Sequence, residues 1–576
     1  MNIRTIFSAV LAGCALWLGE RGSAEGTWTA LANSAPGGVE TMLLLSDGTV
    51  LAQNGGGTGW FKLMPDGAGH YVDGNWTNVA SMHYSRLYYS SDVLKDGRVF
   101  VAGAEYGTGT TNAEIYDSVA DSWSVVSIPS GIIDENNTVN AKSGANSEGF
   151  IDSGSILLSN GKVLITPVGN AYYGETVTYD PVANDWGTAY LQVGGNEDEA
   201  SLVKLPDNSI LVVDSGGTTS ERYIPSSNSW ITDGDVPVAL YDPYGTELGA
   251  GFLLPNGNAF FIGSAPNTAI YTPSGGSSPG TWIAGPSLGG LGAPDAPAAM
   301  MVNGKILCTL SPTPYRSDNT NYVFTKPSYF YEYDYSSGSI GSFTQIHAPG
   351  GGYTRNEVTF NDRMLDLPDG TVLFTDGGSQ LYSYQPDGSP LASGQPDIAS
   401  LSWNTDGSLH ITGYGFNGIT QGAAYGDDAQ MDSNYPLVRF TDGSGDVYYG
   451  RTYNWSSTSV QSYQLVSTEV AVPPAVFDFP NTFSLQVVAN GNASAPVTFH
   501  SPVWVDFNYS SALNLYFGWF QFPYNNLPEG VSAVANGGTV AFEANVQPST
   551  GHETVPYTIT KPMELISVFG PTTIGN

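Results

Sequence analysis

Cationic side chains are scarce in this chain of 576 residues. Lys and Arg together number 18 against 53 Asp and Glu, so only 12% of the chain is charged and the net charge is −35. Typical soluble domains carry about 25% charged residues. Because nucleic-acid binding requires a basic surface that matches the phosphate backbone, this balance excludes a nucleic-acid-binding protein.

Cysteine and long apolar runs are also nearly absent. Cys14 and Cys308 are the only cysteines, which excludes a disulfide framework. Cys308 stands in the apolar run 305–310, where we expect a buried and unreactive thiol. No apolar run after residue 24 reaches the roughly 18 residues that cross a bilayer, so no transmembrane segment is expected.

The chain is rich instead in glycine, which occurs 71 times, and in aromatic residues, which make up 12% of it. With 41% hydrophobic residues it can bury a large core, so it is not a disordered chain. The glycines follow no three-residue period, which excludes a collagen-like fibre. Few charges, many turn-forming residues and many aromatics predict an all-β, repeat-built and exported protein.

The first 24 residues have the pattern of a bacterial-type secretory signal. Arg4 precedes an apolar run from Ile6 to Leu18, and small residues lead to Ala24. We therefore expect cleavage after Ala24 and a secreted or cell-surface protein. The segment 11–14 also resembles a lipoprotein processing box, which makes lipid attachment at Cys14 the alternative.

A short hairpin pattern recurs along the first two thirds of the chain. Each copy has an apolar run, a turn with Asp or Asn, in most copies followed by Gly, and a second β-rich run, as around Asp47 and Gly48. Asn-Gly and Asp-Gly supply the positive φ angles that two-residue turns demand. Copies recur about every fifty residues, which is the period of a propeller built from four-stranded blades. The turn positions are Gly48, Gly97, Gly161, Ser209, Gly257, Gly304 and Gly370.

An aromatic strand followed by a tryptophan accompanies most hairpins, as in Tyr116 with Trp123. This pattern resembles the kelch repeat and predicts a seven-bladed β-propeller over residues 25–396. We interpret the Tyr and Trp side chains as packing between blades. The strand around Trp28 stands alone ahead of the first hairpin, so we expect it to complete the last blade and close the ring.

The pattern changes after residue 396. Residues 397–500 resemble an immunoglobulin-like β-sandwich, and a kelch propeller followed by such a sandwich resembles the galactose oxidase and glyoxal oxidase architecture. Residues 501–576 resemble the opening turns of a right-handed parallel β-helix. A stack that short cannot bury its own core, so we expect it to pack on the sandwich or on a partner, and self-assembly through this segment is one hypothesis.

The family resemblance implies a copper site made of two Tyr and two His, with one Tyr linked to a Cys. The family's Tyr-His-Ser signature falls on Tyr88, Tyr89 and Ser90, where Tyr89 stands in place of the His. The matching stretch 355–360 contains neither ligand type, and no His stands near 425–428. We therefore expect no copper, copper radical oxidase activity is not supported, and no catalytic residue is assigned.

Acidic residues recur on one predicted face of the propeller, at or near the start of the innermost strand of most blades. The second blade carries Arg86 and Tyr88 there instead, and Tyr353 and Arg355 stand near the start of the seventh. We expect these side chains to surround the mouth of the central channel and to give it a negative potential. The acidic candidates are Glu40, Glu148, Glu199, Glu247, Asp295 and Glu357.

Two interpretations of this acidic ring stay open. The carboxylates can hold neighbouring blades together by accepting hydrogen bonds from backbone amides, or they can bind a ligand. A polyol or sugar fits a set of acids, arginines and aromatic side chains. Carboxylates also suit calcium, although the chain has no calcium-binding loop motif, so the metal content stays undetermined.

The sequence favours a secreted or cell-surface binding protein that engages a glycan or another extracellular surface component through this face. One alternative is an enzyme of unrecognised, non-copper chemistry, such as a hydrolase or lyase using Glu247, Glu357 and Arg355. Another is an architectural surface or matrix protein that assembles with itself. Propellers support many unrelated functions, so the fold does not choose among these.

Overall fold

The computed structural model describes residues 25–128, 150, 153–168, 175–187, 190–191, 201–244, 247–318, 321–425, 429–544, 549–551 and 557–575. This part of the chain is almost entirely β-structure, as the composition predicts. Its helices are α1 (Pro474–Phe477), α2 (Leu527–Ala533) and the 3₁₀ turns Thr359–Asn361 and Ala392–Gly394. No helix in these ranges is both long and apolar enough to cross a membrane.

Short strands follow one another over the first half of the chain. The first are β1 (Thr27–Ala30), β2 (Val39–Leu44), β3 (Val50–Asn54), β4 (Trp60–Met64), β5 (Asn75–Val79), β6 (Arg86–Leu87), β7 (Ser90–Val93), β8 (Val99–Ala102), β9 (Tyr106–Gly107), β10 (Ala113–Asp117) and β11 (Ser122–Val126). The next are β12 (Gly154–Leu157), β13 (Val163–Val168), β14 (Glu175–Asp180), β15 (Asp185–Trp186), β16 (Tyr190–Leu191), β17 (Val203–Lys204), β18 (Ile210–Val213), β19 (Ser220–Ile224), β20 (Ser229–Thr232), β21 (Leu248–Leu253), β22 (Ala259–Gly263), β23 (Thr268–Thr272) and β24 (Thr281–Ala284).

The strands of the following region include a small ribbon, β28 with β29, that is inserted after β27. They are β25 (Leu291–Gly292), β26 (Pro297–Met300), β27 (Ile306–Pro312), β28 (Tyr315–Arg316), β29 (Tyr322–Val323), β30 (Ser328–Asp334), β31 (Ser342–Ile346), β32 (Thr354–Arg355), β33 (Arg363–Asp366), β34 (Val372–Thr375) and β35 (Tyr382–Gln385).

These strands form a succession of antiparallel sheets in a propeller-like arrangement. The sheets are β2-β3-β4-β5, β7-β8-β10-β11, β12-β13-β14-β15, β17-β18-β19-β20, β21-β22-β23-β24, β26-β27-β30-β31 and β33-β34-β35-β1. The last of these takes its outer strand from the N-terminus, because Trp28 pairs with Tyr384. That pairing joins the two ends of the region in one sheet.

The predicted turns form through local side-chain chemistry. In the first turn the Asp47 carboxylate accepts hydrogen bonds from the backbone amide and the hydroxyl of Thr49, at 3.0 and 2.6 Å. Between them Gly48 adopts a φ of +77°, which a side chain would disfavour. Asp369 and Thr371 repeat these contacts at 3.2 and 2.7 Å in the last turn. The repeat therefore reflects a turn that each segment can form by itself.

The repeated tryptophans connect neighbouring sheets, in agreement with their interpretation as packing residues. The Trp123 indole donates to the carbonyl of Ala80 at 3.0 Å and stacks on Trp60 at 5.5 Å between centroids. Trp186 donates in the same way to Ser127, at 3.0 Å. Trp186 also contacts Phe100 at 6.3 Å between centroids, so each of these two sheets is fixed to the preceding one by both an aromatic contact and a hydrogen bond.

The remaining strands belong to two further units. The first unit contains β36 (Asp397–Trp403), β37 (Leu409–Tyr414), β38 (Gly422–Tyr425), β39 (Ala429–Asp432), β40 (Leu437–Thr441), β41 (Val447–Tyr453), β42 (Val466–Ala471), β43 (Thr482–Ala489), β44 (Asn492–Ala493) and β45 (Val497–His500). The second, which we name the parallel segment, contains β46 (Val503–Val505), β47 (Thr539–Glu543), β48 (Ser549–Gly551), β49 (Glu564–Val568) and β50 (Thr572–Ile574).

Eight strands of the first unit form one curved sheet that we name the half-barrel, in the order β36-β37-β42-β41-β40-β43-β44, with β45 also on β43. Its concave side encloses a core that includes Ile411, Phe440 and Leu485. In the parallel segment β47 pairs in parallel with both β46 and β49, and β48 pairs in parallel with β50.

The hairpin β38–β39 leaves the half-barrel and enters the centre of the propeller-like region. Strand β38 pairs with the innermost strand β26, placing Tyr425 opposite Pro297. The same hairpin contacts the innermost strands β2, β7, β12, β21 and β33. We name this hairpin the plug, because it fills the channel that the innermost strands surround.

The half-barrel covers one face of the propeller-like region. Thr458 donates its hydroxyl to Leu158 at 2.7 Å, and its carbonyl accepts from the Lys204 ammonium at 3.0 Å. Gln461 donates to the carbonyl of Leu254 at 2.7 Å. These contacts lie where the innermost strands end, so the face where those strands begin is left on the opposite side of the molecule.

Candidate functional site

The candidate site is the surface around the starts of β2, β7, β21, β26 and β33, which we name the mouth face. The plug reaches this face with its tip, since Tyr425 lies beside the start of β26. The ribbon β28–β29 and the turn Thr359–Asn361 also belong to it. Glu148 and Glu199, which were predicted to lie here, fall outside the described residues.

Glu40 and Tyr88 are brought together by an arginine that the sequence analysis did not select. The Arg363 guanidinium lies 3.5 Å from the Glu40 carboxylate and 5.6 Å from the centre of the Tyr88 ring. Arg363 is almost completely buried at the start of β33. One predicted acid is therefore neutralised by a cation from the neighbouring sheet, which fixes its orientation.

Arg355 and Glu357 are also held in ion pairs. Arg355 binds the Asp376 carboxylate, donates to the carbonyl of Pro349 at 3.1 Å and lies over the ring of Tyr382 at 5.5 Å. Burial alone would lower the pKa of Arg355, but the Asp376 charge raises it. Lys326 approaches Glu357 at 3.8 Å. The mouth face therefore carries fixed charges of both signs, and its field is weaker than the acidic residues alone predict.

A second acid lies deeper in the same cluster. Asp362 precedes β33 and is completely buried, and among the described residues neither of its carboxyl oxygens has a hydrogen-bond partner. Burial raises the pKa of Asp362 well above its usual range, and the charge of Asp376 adds to this, while Arg355 and Arg363 oppose it. A buried acid of this kind in a cleft is a common property of functional sites.

Glu247 and Asp295 form a separate group with the ribbon. The Tyr322 hydroxyl donates to the Asp242 carboxylate at 2.7 Å. Burial, followed by the charges of Glu247 and Asp242, raises the pKa of Tyr322, and Asp295 contributes as well. Phe324, just after the ribbon, stacks edge-on against Phe360 at 4.8 Å, so this group adjoins the turn that carries Asp362.

Arg86 lies within the wall of the mouth face rather than on it. Its side chain is completely buried and forms an ion pair with Glu114 at 3.0 Å. The same guanidinium donates to the carbonyls of Gly103, Gly109 and Asn112 at 2.6, 3.0 and 2.9 Å. Four acceptors from one blade surround it, so Arg86 can stabilise that blade but cannot contact a ligand in this conformation.

Exposed tyrosines distinguish the mouth face from the rest of the propeller-like region. Tyr353 is 54% exposed and stacks on His347 at 4.3 Å. Among the described residues before 397, the exposed large aromatic side chains all lie in loops of this face or in the short strands β9 and β28 within those loops, and they are Tyr106 at 59%, Tyr244 at 46%, Tyr315 at 49% and Tyr353. Arg316 connects two of the loops by donating to the carbonyl of Tyr244 at 2.7 Å.

Tyr89, which stands in place of the family's His, and Cys308 are both packed side chains. Tyr89 is buried and donates its hydroxyl to Gln53 at 2.9 Å. Cys308 is buried on β27, where burial raises the pKa of its thiol. Within the described ranges no three His, Cys, Asp or Glu side chains form a group that could hold a metal ion, so we assign no chemistry to copper or calcium.

Sequence reasoning missed the partners of the predicted residues. Arg363, Asp376 and Lys326 stand on segments other than those of the acids they pair with, and such contacts leave no local pattern. One sequence feature could have identified Asp362 and Arg363. The polar stretch 361–363 leads into the buried strand β33. Of the exposed tyrosines, Tyr353 was selected from the sequence, but Tyr106, Tyr244 and Tyr315 had no such signal, since tyrosine is frequent throughout the chain.

Comparisons with known proteins give matches in structure only. A fungal alcohol oxidase of the AA5 family, solved in complex with copper, matches with a TM-score of 0.48 and 17% identity over 83% of this chain and 99% of that one. A streptogramin B lyase matches with a TM-score of 0.40 and 10% identity over 63% of this chain and 98% of that one. YjhT matches with a TM-score of 0.36 and 13% identity over 55% of this chain and 99% of that one.

No family model matches the chain, and no curated protein sequence does. The three structural matches have low identity and concern the arrangement of the backbone alone. We base no argument about activity, metal or ligand on them.

Proposed function

We propose that the protein is a non-catalytic binding protein that holds an extended, hydroxyl-rich ligand, a glycan chain, on the mouth face. The observation that carries this proposal is the placement of Tyr106, Tyr244, Tyr315 and Tyr353, which are exposed on loops of one face. An exposed aromatic ring is costly to leave in water and is typical of binding surfaces.

The chemistry of the face suits a sugar. Tyrosine rings can stack on the apolar faces of sugar rings, while the fixed groups of Glu40, Arg355 and Glu357 can accept or donate hydrogen bonds to hydroxyls. These ion pairs leave the face without a strong charge of one sign. A neutral or weakly charged glycan therefore fits better than a cation, and the distribution of tyrosines over several blades favours a chain over a single sugar.

Binding to a panel of soluble polysaccharides and oligosaccharides tests this proposal. We expect the double variant Tyr315→Ala/Tyr353→Ala to lose roughly tenfold or more in affinity, because each ring contributes about 1 kcal/mol. Tyr463→Ala is the matched control, since Tyr463 is 77% exposed but belongs to the half-barrel unit. Equal affinity of the double variant and the wild type would contradict the proposal, as would the absence of any glycan ligand.

A second candidate is an enzyme of non-copper chemistry at the same face, favoured by the buried acid Asp362. A carboxyl group with a raised pKa near the pair Arg355–Asp376 could act as a general acid toward a bound sugar once a side-chain movement exposes it. If this is correct, Asp362→Asn abolishes turnover of a glycan that the wild type cleaves and leaves glycan affinity unchanged. Cleavage products from the variant would contradict this role.

For the fold we propose finer assignments. We infer that the four-stranded sheets are seven blades of one closed propeller, residues 25–396. We further infer that the half-barrel, residues 397–500, is an immunoglobulin-like sandwich. The pairing of β41 supports this, because its first half pairs with β40 and its second half with β42, as expected of a strand at the edge between the two layers of a sandwich. We interpret residues 501–576 as a β-helix-like cap.

We also propose that the protein is exported. The secretory-signal pattern that ends at Ala24 and the ligand class inferred above both agree with a secreted or cell-surface location. Mass measurement of the mature protein tests this assignment, and the expected first residue is Glu25. A mature chain that begins with a lipid-modified Cys14 would instead support attachment to a membrane.

A further inference from the structure

The parallel segment ends in a strand with an open edge. The sheet order is β46-β47-β49, so within the described residues β49 pairs on one side only. Val540 lies beside Val503 on β46 and beside Leu565 on β49, which gives a column of aliphatic residues across the sheet. This column stops at Leu565, which is 41% exposed.

Most of both faces of this sheet is already covered. On one face α2 contributes Leu527 and Val531 to the cluster that contains Val503 and Val540. On the other face Trp504 packs edge-on against Phe477 at 4.7 Å and Phe520 at 4.9 Å. The part of the sheet that lacks a neighbour is therefore the edge of β49. The backbone groups at a sheet edge pair best with another β-strand.

The surroundings of this edge are apolar and nearly free of charge. Phe569 and Ile574, in the same stretch of the chain as Leu565, are 47% and 41% exposed. Between residues 557 and 575 the charged side chains are Lys561 and Glu564, one of each sign, in a molecule whose net charge is −35. Two copies of so acidic a chain repel each other over most of their surfaces, and this edge is a region where they can approach.

We propose that the partner of this edge is a second copy of the chain, joined through antiparallel pairing of β49 with β49 about a two-fold axis. A pairing that uses the whole strand places Ile566 opposite Ile566 and Leu565 opposite Ser567 of the second copy. Glu564 then lies opposite Val568, so no like charges face each other. The result is one continuous six-stranded sheet that has both α2 helices on the same face.

The same register brings apolar groups together across the axis. Leu565 of each copy becomes a diagonal neighbour of Leu565 of the other, at a distance that long side chains can span. The hydrogen bonds of two open edges are satisfied at the same time, which a docked apolar surface could not do. A strand-shaped partner therefore fits better than a glycan or a flat protein surface.

Measurement of molar mass by light scattering and sedimentation, over a range of protein concentration, tests this pairing on the intact mature chain. We expect the wild type to form dimers, more strongly as salt screens the overall negative charge. Leu565→Lys should give monomers. The matched control is Ile283→Lys, because Ile283 is 50% exposed on β24, the outer strand of another sheet.

A cysteine variant tests the register directly. Ile566→Cys should form a covalent dimer on mild oxidation, since facing residues in antiparallel strands lie within the reach of a disulfide. Ile283→Cys should not, and the buried Cys308 is common to both variants. A wild type that stays monomeric up to its solubility limit in high salt would overturn the proposal. So would a dimer that persists in Leu565→Lys or that Ile566→Cys does not cross-link.

Discussion

Buried carboxyl groups in the channel wall are the most unusual residues of the molecule. Asp366 lies on β33, completely buried, and accepts one hydrogen bond, from the Ser433 hydroxyl of the plug at 3.2 Å. Burial raises the pKa of Asp366 to about 8, while that hydrogen bond opposes the shift. Asp92, on β7, has its pKa raised by burial to about 6. These groups make the stability of the channel depend on pH.

The sign of that dependence follows from the raised pKa of Asp366. The folded state binds a proton more tightly than the unfolded state, so the stabilisation is complete below about pH 4 and is lost as the pH rises to about 8. We expect Asp366→Asn to exceed the wild type in unfolding free energy by only ~1–2 kcal/mol at pH 5. At pH 9 it should be more stable by an amount on the order of a few kcal/mol.

Chemical denaturation at the two pH values measures this difference. Asp397→Asn is the control, because Asp397 is an exposed carboxylate on β36 and its removal changes the same formal charge. A free-energy difference between Asp366→Asn and the wild type that does not change with pH would contradict the assignment.

The buried ion pair Arg86–Glu114 gives a prediction of lost stability, whereas the substitution of Asp366 is expected to increase it. Replacing Arg86 by Met leaves the Glu114 carboxylate and three carbonyls without their main donor, so we expect a loss of about 3–5 kcal/mol in unfolding free energy. Adding Glu114→Gln should recover part of it by removing the buried charge. Retention of full stability by Arg86→Met, measured by denaturation, would show that Arg86 does not have this structural role.

At the residue scale, the sequence predicted positions but not partners. Glu40 is the second residue of the innermost strand β2, whereas Arg355 and Glu357 lie several residues before the innermost strand β33. Their ion pairs with Arg363, Lys326 and Asp376 were not predictable, since each pair joins segments whose proximity arises only when the sheets are packed together.

Elements whose conformation depends on neighbouring residues in the sequence were predicted well. The hairpin at Asp47 and Gly48 forms because one carboxylate and one glycine decide the turn, and both are visible in the sequence. The plug was not predicted. Its strands, Gly422–Tyr425 and Ala429–Asp432, are short, and their conformation depends on innermost strands from many blades.

The plug depends on one glycine. Gly422 has a φ of +126°, and a Cβ at this position would meet the hydroxyl of Ser433, the residue after the paired strand β39. We expect Gly422→Ala to cost about 1–3 kcal/mol through backbone strain and crowding. Hydrogen exchange should then accelerate in β38, β39 and β26 more than in the outer strands.

Gly443→Ala is the control for this element. Gly443 lies in a turn of the half-barrel, has no heavy atom within 4 Å of the position of a Cβ, and should accept the methyl group without loss. Equal stability of the two alanine variants would show that the plug does not require the conformation of Gly422.

At the scale of the whole molecule, the propeller-like region and the half-barrel share contacts that neither can satisfy alone. The Lys204 ammonium is completely buried and donates to Leu157 at 2.6 Å within the propeller-like region and to Thr458 at 3.0 Å across the junction. The channel core likewise contains plug residues such as Met431. The change of pattern near residue 396 therefore marks a boundary in the sequence but not an independent folding unit.

We accordingly expect the two regions to unfold together. Calorimetry should give one transition, and Thr458→Val, which removes a junction hydrogen bond to Leu158, should lower its midpoint by the equivalent of about 1–3 kcal/mol without splitting it. Two separate transitions in the wild type, or a half-barrel that unfolds first in hydrogen exchange, would contradict this coupling.

We expect the plug to carry part of any force between the propeller-like region and the half-barrel. A glycan held on the mouth face and a second copy held at β49 would pull at opposite sides of the junction. Tension between them would pass through the hairpin β38–β39, which runs alongside β26 inside the ring. The hydrogen bonds between β38 and β26 would be loaded together in shear. Separating the propeller from the half-barrel would therefore require more force than peeling an outer strand from its blade.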